Sequence, residues 1–121
     1  MRKSNQVEYI FESAARTATD SQTIGCGSTG GLFFINVTAT AATPSVVFTI
    51  KGHDPVSSTT YDILTSAAIT STGMTVLRVH PSLTASANTI AKDILPASIT
   101  VTATHSDTDS ITYSVGFSGV K

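Results

Sequence analysis

The sequence contains no tryptophan and a single cysteine, and only 12% of its 121 residues are charged. One cysteine excludes an intrachain disulfide, so the chain is not built as a disulfide-stapled module. Seven basic and eight acidic residues give a net charge of −1, which argues against the concentrated basic patch of a nucleic-acid-binding protein. The charged share is about half of the roughly 25% usual for globular proteins, which suits a surface that ends up against other protein.

Long apolar runs are missing as well. Arg2 and Lys3 open the chain, but no apolar stretch of about 7–15 residues follows them, so we expect no signal peptide. No run approaches the roughly 18 apolar residues of a membrane span, so we expect no membrane contact.

Side chains that carry chemistry are scattered along the chain. His53, His80 and His105 lie far apart in the sequence, and none has a partner at a metal-ligand spacing. Asp107 and Asp109 resemble the start of a calcium loop, but the glycine and the final acidic residue of such a loop are absent, so we expect a turn there. We therefore predict a non-enzymatic protein with no catalytic residue, no cofactor and no metal site.

Threonine and serine are abundant, with 21 and 16 copies, and alternating β-branched and aromatic residues recur along the chain. The clearest case is residues 31–50, GLFFINVTATAATPSVVFTI, where two apolar segments flank an Ala-Thr-Pro connection. A period of two places alternate residues on opposite faces of a strand. The stretch therefore predicts an antiparallel hairpin at the centre of an all-β domain, with one face of each strand buried.

Four more segments, residues 61–68, 75–80, 99–104 and 111–117, also suit strands, and the last two predict a second hairpin. Residues 81–96 fit either a short helix or a long crossover loop. Six to eight short strands with under about 15% helix predict an antiparallel β-sandwich, either a jelly roll or immunoglobulin-like. Its predicted core contains Phe33, Ile35, Val37, Val46, Phe48, Ile50, Val101, Ile111, Tyr113 and Val115.

The chain from Leu32 onward resembles a set of small proteins encoded among the virion structural genes of tailed bacteriophages. The matching segments are TPSVVFTIKGHDPVSSTTYDILTSAAIT, TVLRVHPSLTASANTIAKDILP and VTATHSDTDSITYSVG, and none contains a catalytic motif. The resemblance implies a capsid decoration (cement) protein, made in the bacterial host cytoplasm and located on the capsid surface of the virion. Its implied partners are the major capsid protein and copies of itself, expected as a trimer because shells offer three-fold sites.

Two other functions remain open at this point. One is a neck or tail structural subunit, which the same resemblance allows. The other is a carbohydrate-binding β-sandwich module of a tail or receptor-binding assembly, which would show an exposed aromatic platform for stacking sugars.

The first 24 residues precede the resembling region and are assigned apart from the sandwich domain at 25–121. They fit either an N-terminal arm, which docks on the capsid or on a neighbouring copy, or an edge strand of the chain's own sandwich. As an arm, this segment would bind its partner through a short set of basic and apolar side chains: Arg2, Lys3, Val7, Tyr9, Ile10 and Phe11.

Overall fold

The computed structural model describes residues 6–121, and within them it contains nine strands and no helix. The strands are β1 (Val7–Arg16), β2 (Asp20–Gly25), β3 (Gly30–Thr40), β4 (Val46–His53), β5 (Thr60–Thr65), β6 (Gly73–Val79), β7 (Ile90–Ala91), β8 (Ser98–His105) and β9 (Ile111–Val120). The predicted all-β class is confirmed, and the strand count is slightly higher than expected. No segment between residues 6 and 121 forms a helix of the length and apolarity that a membrane crossing requires.

The strands form two sheets, in the orders β1-β9-β3-β6-β7 and β2-β8-β4-β5, and only the short β6–β7 pair is parallel. Four antiparallel pairs follow one another along a long two-stranded ribbon, which ends at the turn between β4 and β5. In order, they are β1–β9, β2–β8, β3–β6 and β4–β5. Rolling that ribbon into two facing sheets gives a jelly roll. Of the two predicted sandwich types, the jelly roll is therefore the one observed.

Both predicted hairpins are wrong. β3 and β4 lie in different sheets, and so do β8 and β9, because each connection crosses from one sheet to the other. The two crossovers run side by side at one end of the sandwich, where Ala41 N donates to Ser110 O at 2.9 Å and Thr43 N to Asp109 Oδ2 at 3.1 Å. Alternation fixes which side chains face the core, but it does not say whether consecutive strands pair with each other.

The predicted core is confirmed, because all ten of its residues are buried between the sheets. Tyr113 lies at the centre with no exposed surface. Its ring makes edge-on contacts with Phe48, at 5.1 Å between centroids, and with Phe11, at 5.9 Å. Edge-to-face aromatic pairs add about 0.5–1.5 kcal/mol each to the burial of the rings, so this group fixes how the two sheets pack.

Residues 6–25 supply one edge strand to each sheet, β1 and β2, and β2 ends one residue beyond the predicted boundary at residue 24. Tyr9 pairs with Gly116 and Phe11 with Val115, and the irregular register between them turns both Ile10 and Phe11 inward. The open assignment at 81–96 resolves as a loop that carries β7 and contains no helix.

Candidate functional site

The outward side of β1, β9, β3 and β6 carries large apolar side chains. Tyr9, Gly116, Phe34 and Val76 are register partners across the four strands, and Met74 lies two residues before Val76. Their chain neighbours Phe117, Phe33 and Leu77 are buried, so alternation directs this second set away from the core. We call the surface around Tyr9, Phe34, Met74, Val76 and Gly116 the groove face.

A groove of about 490 Å³ runs along the groove face. Tyr9 is 82% exposed and Met74 58% exposed, although both are large apolar side chains on regular strands. Gly116 forms part of the lining between them, and a Cβ atom at this position would meet nothing within 4 Å. The glycine is therefore not required by packing against neighbours, and its missing side chain keeps the groove open.

The rim of the groove is polar. Asn36 and Ser114 are register partners in its wall, and the exposed Glu12 lines it on the β1 side. Arg78, also exposed, is on β6 opposite Leu32, two register pairs beyond Val76. Acidic and basic side chains thus occupy opposite ends of an otherwise uncharged surface.

Comparison of the chain with protein-family models, with curated proteins and with solved structures gave no match. The groove face is therefore the feature from which we infer a function.

The predicted partner-binding residues are divided by the fold. Val7, 69% exposed, and Tyr9 project from β1, and both are available to a partner. Ile10 and Phe11 are 5% and 2% exposed, so they hold β1 to the core and a partner has no access to them. Arg2 and Lys3 lie outside the described residues.

Sequence reasoning missed the other half of the groove face. Phe34, Met74 and Val76 occupy the positions of β3 and β6 that alternate with core residues, and none of them was predicted to bind a partner. The signal was present, because an aromatic or large aliphatic residue on the outward side of a half-buried strand marks a contact surface. Finding the surface also required knowing that β1, β9, β3 and β6 are neighbours, which only the topology shows.

The histidines remain apart in the folded chain. His53 Nε2 is hydrogen-bonded to Thr100 Oγ1, and His80 contacts Ser82 Oγ at 2.8 Å and the backbone oxygen of Lys121 at 2.9 Å. Within residues 6–121 no group of three His, Cys, Asp or Glu side chains is placed to hold a metal ion.

His105 belongs to a partly buried polar cluster beside Tyr113. Burial raises the pKa of Tyr113 to about 12, so its hydroxyl stays protonated at neutral pH. That hydroxyl is hydrogen-bonded to His105 Nε2 at 3.1 Å. The Arg16 guanidinium stacks on the Phe11 and Tyr113 rings at 5.0 and 5.4 Å. Arg16 Nε and His105 Nδ1 are buried and have no hydrogen-bond partner among residues 6–121, so a protonated His105 would hold a buried Nδ1–H donor without an acceptor.

Acidification is expected to destabilise the protein through His105. Burial lowers the pKa of His105 and Arg16 lowers it further, while Asp107 acts in the opposite direction. The unfolded chain therefore binds the proton more readily, so this part of the stability is complete above the unfolded pKa of 6.5 and is lost as the pH falls from that value through the lower folded pKa. We expect the melting temperature to fall between about pH 8 and pH 5, and His105→Gln to reduce that slope. A variant with the slope of the parent protein would show that His105 does not titrate with folding.

Proposed function

We propose that the protein is a non-enzymatic structural subunit of a tailed-bacteriophage virion that decorates the capsid surface by binding the major capsid protein. The observation that carries the proposal is the groove face, an exposed apolar surface on a regular sheet. Contiguous exposed apolar surface on a soluble-type fold marks contact with another macromolecule. The resemblance of three segments to phage virion proteins is the reason for proposing a capsid protein as the partner.

The architecture suits this role. Each strand of the sandwich contributes side chains to one continuous aromatic and aliphatic core, which makes the module rigid. A decoration protein needs such a module together with a contact surface that is repeated by symmetry. Each contact is then allowed to be weak, because many copies act together on one particle.

A glycan is the second candidate ligand, in keeping with a carbohydrate-binding module of a tail or receptor-binding assembly. The observation that favours it is the exposed Tyr9 ring beside Glu12 and Asn36, both of which line the groove. Sugar sites combine an aromatic face for stacking with a few polar groups that fix orientation.

A sedimentation assay tests the capsid proposal. Purified protein is mixed with heads of the virus that encodes it, prepared without this protein, and with isolated tails from the same virus. We expect saturable binding to heads, at a copy number set by the shell symmetry, and none to tails. Binding to tails alone would indicate a tail subunit instead of a capsid protein. A glycan-array signal without head binding would favour the sugar-binding function.

A further inference from the structure

We propose that the groove face binds a second copy of this chain about a two-fold axis, a self-contact that differs from the trimer expected from the resemblance. The contact rests on the proposed function for its biological setting, but it is formed by this chain alone and can be measured without virus particles. Three properties of the face carry the proposal: the placement of its charges, the placement of its exposed apolar side chains, and its size.

The strand registers define four corners of the face. One row runs from Val7 on β1, through Ser118 and Leu32, to Arg78 on β6. The parallel row on the other side of Tyr9 ends at Met74 on β6. Its β1 end is Glu12, in the irregular stretch between the Phe11 and Ala14 register pairs. The corners are listed in order around the face: Val7, Arg78, Met74 and Glu12.

The charged corners are diagonally opposite, and so are the apolar ones. Consider a two-fold axis that lies in the plane of the interface along the diagonal from Val7 to Met74. Rotation about this axis exchanges the other two corners, so Glu12 of each copy lies over Arg78 of the other copy. Val7 and Met74 lie on the axis, so each contacts the same residue of the other copy. A two-fold interface requires this kind of self-complementarity, in which one surface pairs with itself.

The apolar side chains give the contact its attraction. Val7, Tyr9 and Met74 are 69%, 82% and 58% exposed, so each has surface left to bury. The open space beside Gly116 provides room for side chains of the facing copy. Buried apolar surface contributes about 25 cal/mol per Å², which makes these three side chains the main source of affinity.

The outward side of the sheet is large enough for a dimer contact. The four corners enclose only its middle, because their two rows are four residues apart on β9, at Ser118 and Ser114. The whole outward side is longer, since β1 and β9 are 10 residues long, and four strands about 4.8 Å apart with a rise of about 3.3 Å per residue give it roughly 20 by 30 Å. That area approaches the roughly 800 Å² that each partner buries in a standard interface. Packing of two sheets face to face is also an ordinary arrangement in proteins.

Charge reversal tests the contact, with the dimer dissociation constant of the full chain measured by analytical ultracentrifugation. We expect the parent protein to be a dimer, and Glu12→Arg and Arg78→Glu each to raise the dissociation constant at least about tenfold, because each dimer then contains two like-charge contacts. A one-to-one mixture of the two single variants is expected to form a heterodimer, since one copy is then basic at both corners and the other acidic at both. The double variant E12R/R78E is expected to dimerise like the parent.

Matched charge changes outside the face are the controls. Asp62→Arg on β5 and Lys51→Glu on β4 make the same charge changes in the opposite sheet and are expected to leave the dimer unchanged. Circular dichroism confirms that every variant is folded. Three results would overturn this contact: a monomer at all concentrations, a trimer, or a dimer whose dissociation constant is unchanged by both charge reversals. If one of these results were found and the protein still bound phage heads, the proposed function would be supported and only the dimer contact would be wrong. If the protein dimerised as expected but bound no heads, only the proposed function would be contradicted.

Discussion

Replacing Phe48 with alanine is expected to cost about 3–5 kcal/mol of unfolding free energy, through lost burial and the cavity left behind. Phe48 has no exposed surface, and its ring packs edge-on against Tyr113. β4 lies between β8 and β5 in the middle of its sheet, so the surrounding backbone has little freedom to close the space. A loss of this size is a large fraction of the roughly 5–15 kcal/mol that holds a domain folded. Urea denaturation followed by circular dichroism measures it.

Phe34→Ala is the matched control for that substitution. It removes the same ring from a regular strand, but from the outward side, where Phe34 is half-buried in the groove. We expect a cost of less than about 1.5 kcal/mol, because no enclosed cavity forms. Equal losses for the two variants would mean that the inward and outward faces are assigned wrongly.

Deleting residues 1–12 is expected to abolish cooperative folding. The deletion removes Ile10 and Phe11, both core residues, and it leaves β9 without much of the strand that pairs with it on one side. Losing each of the two side chains costs about 2–5 kcal/mol, so their sum is comparable with the total stability of a domain. Thermal unfolding should show a broad transition or none.

Deleting residues 1–5 is the control for that truncation, because it leaves β1 complete. We expect an unchanged melting temperature, and loss of head binding by this variant would assign attachment to the segment that contains Arg2 and Lys3. If the protein lacking residues 1–12 melted like the full chain, β1 would not belong to the sandwich, and the arm interpretation of this segment would stand.

Burial could be predicted from the sequence because it depends on a local period. Each core position in β3, β4, β8 and β9 follows from alternation of apolar and polar residues within one strand. Pairing could not be predicted in the same way, since it depends on where a chain crosses between sheets. The Ala-Thr-Pro connection at residues 41–45 suits a hairpin turn or a crossover equally well, and contacts with Asp109, more than 60 positions away, decide the outcome.

The N-terminal segment shows the same division. Under the arm interpretation, its loosely alternating apolar residues formed one docking surface. The irregular register of β1 against β9 instead turns Ile10 and Phe11 inward and leaves Tyr9 outward. An extra residue in one strand of a pair shifts every later side chain to the other face. The position of such an extra residue cannot be predicted from the pattern within the strand itself. The groove face, which combines residues from four strands, was therefore only partly visible in the sequence.

The location of this chain in a reconstruction of the virus particle tests the central claim most directly. The capsid proposal predicts copies at repeated positions on the outer surface of the head, in contact with the major capsid protein. Particles that contain no copies, or copies confined to the neck or tail, would contradict it.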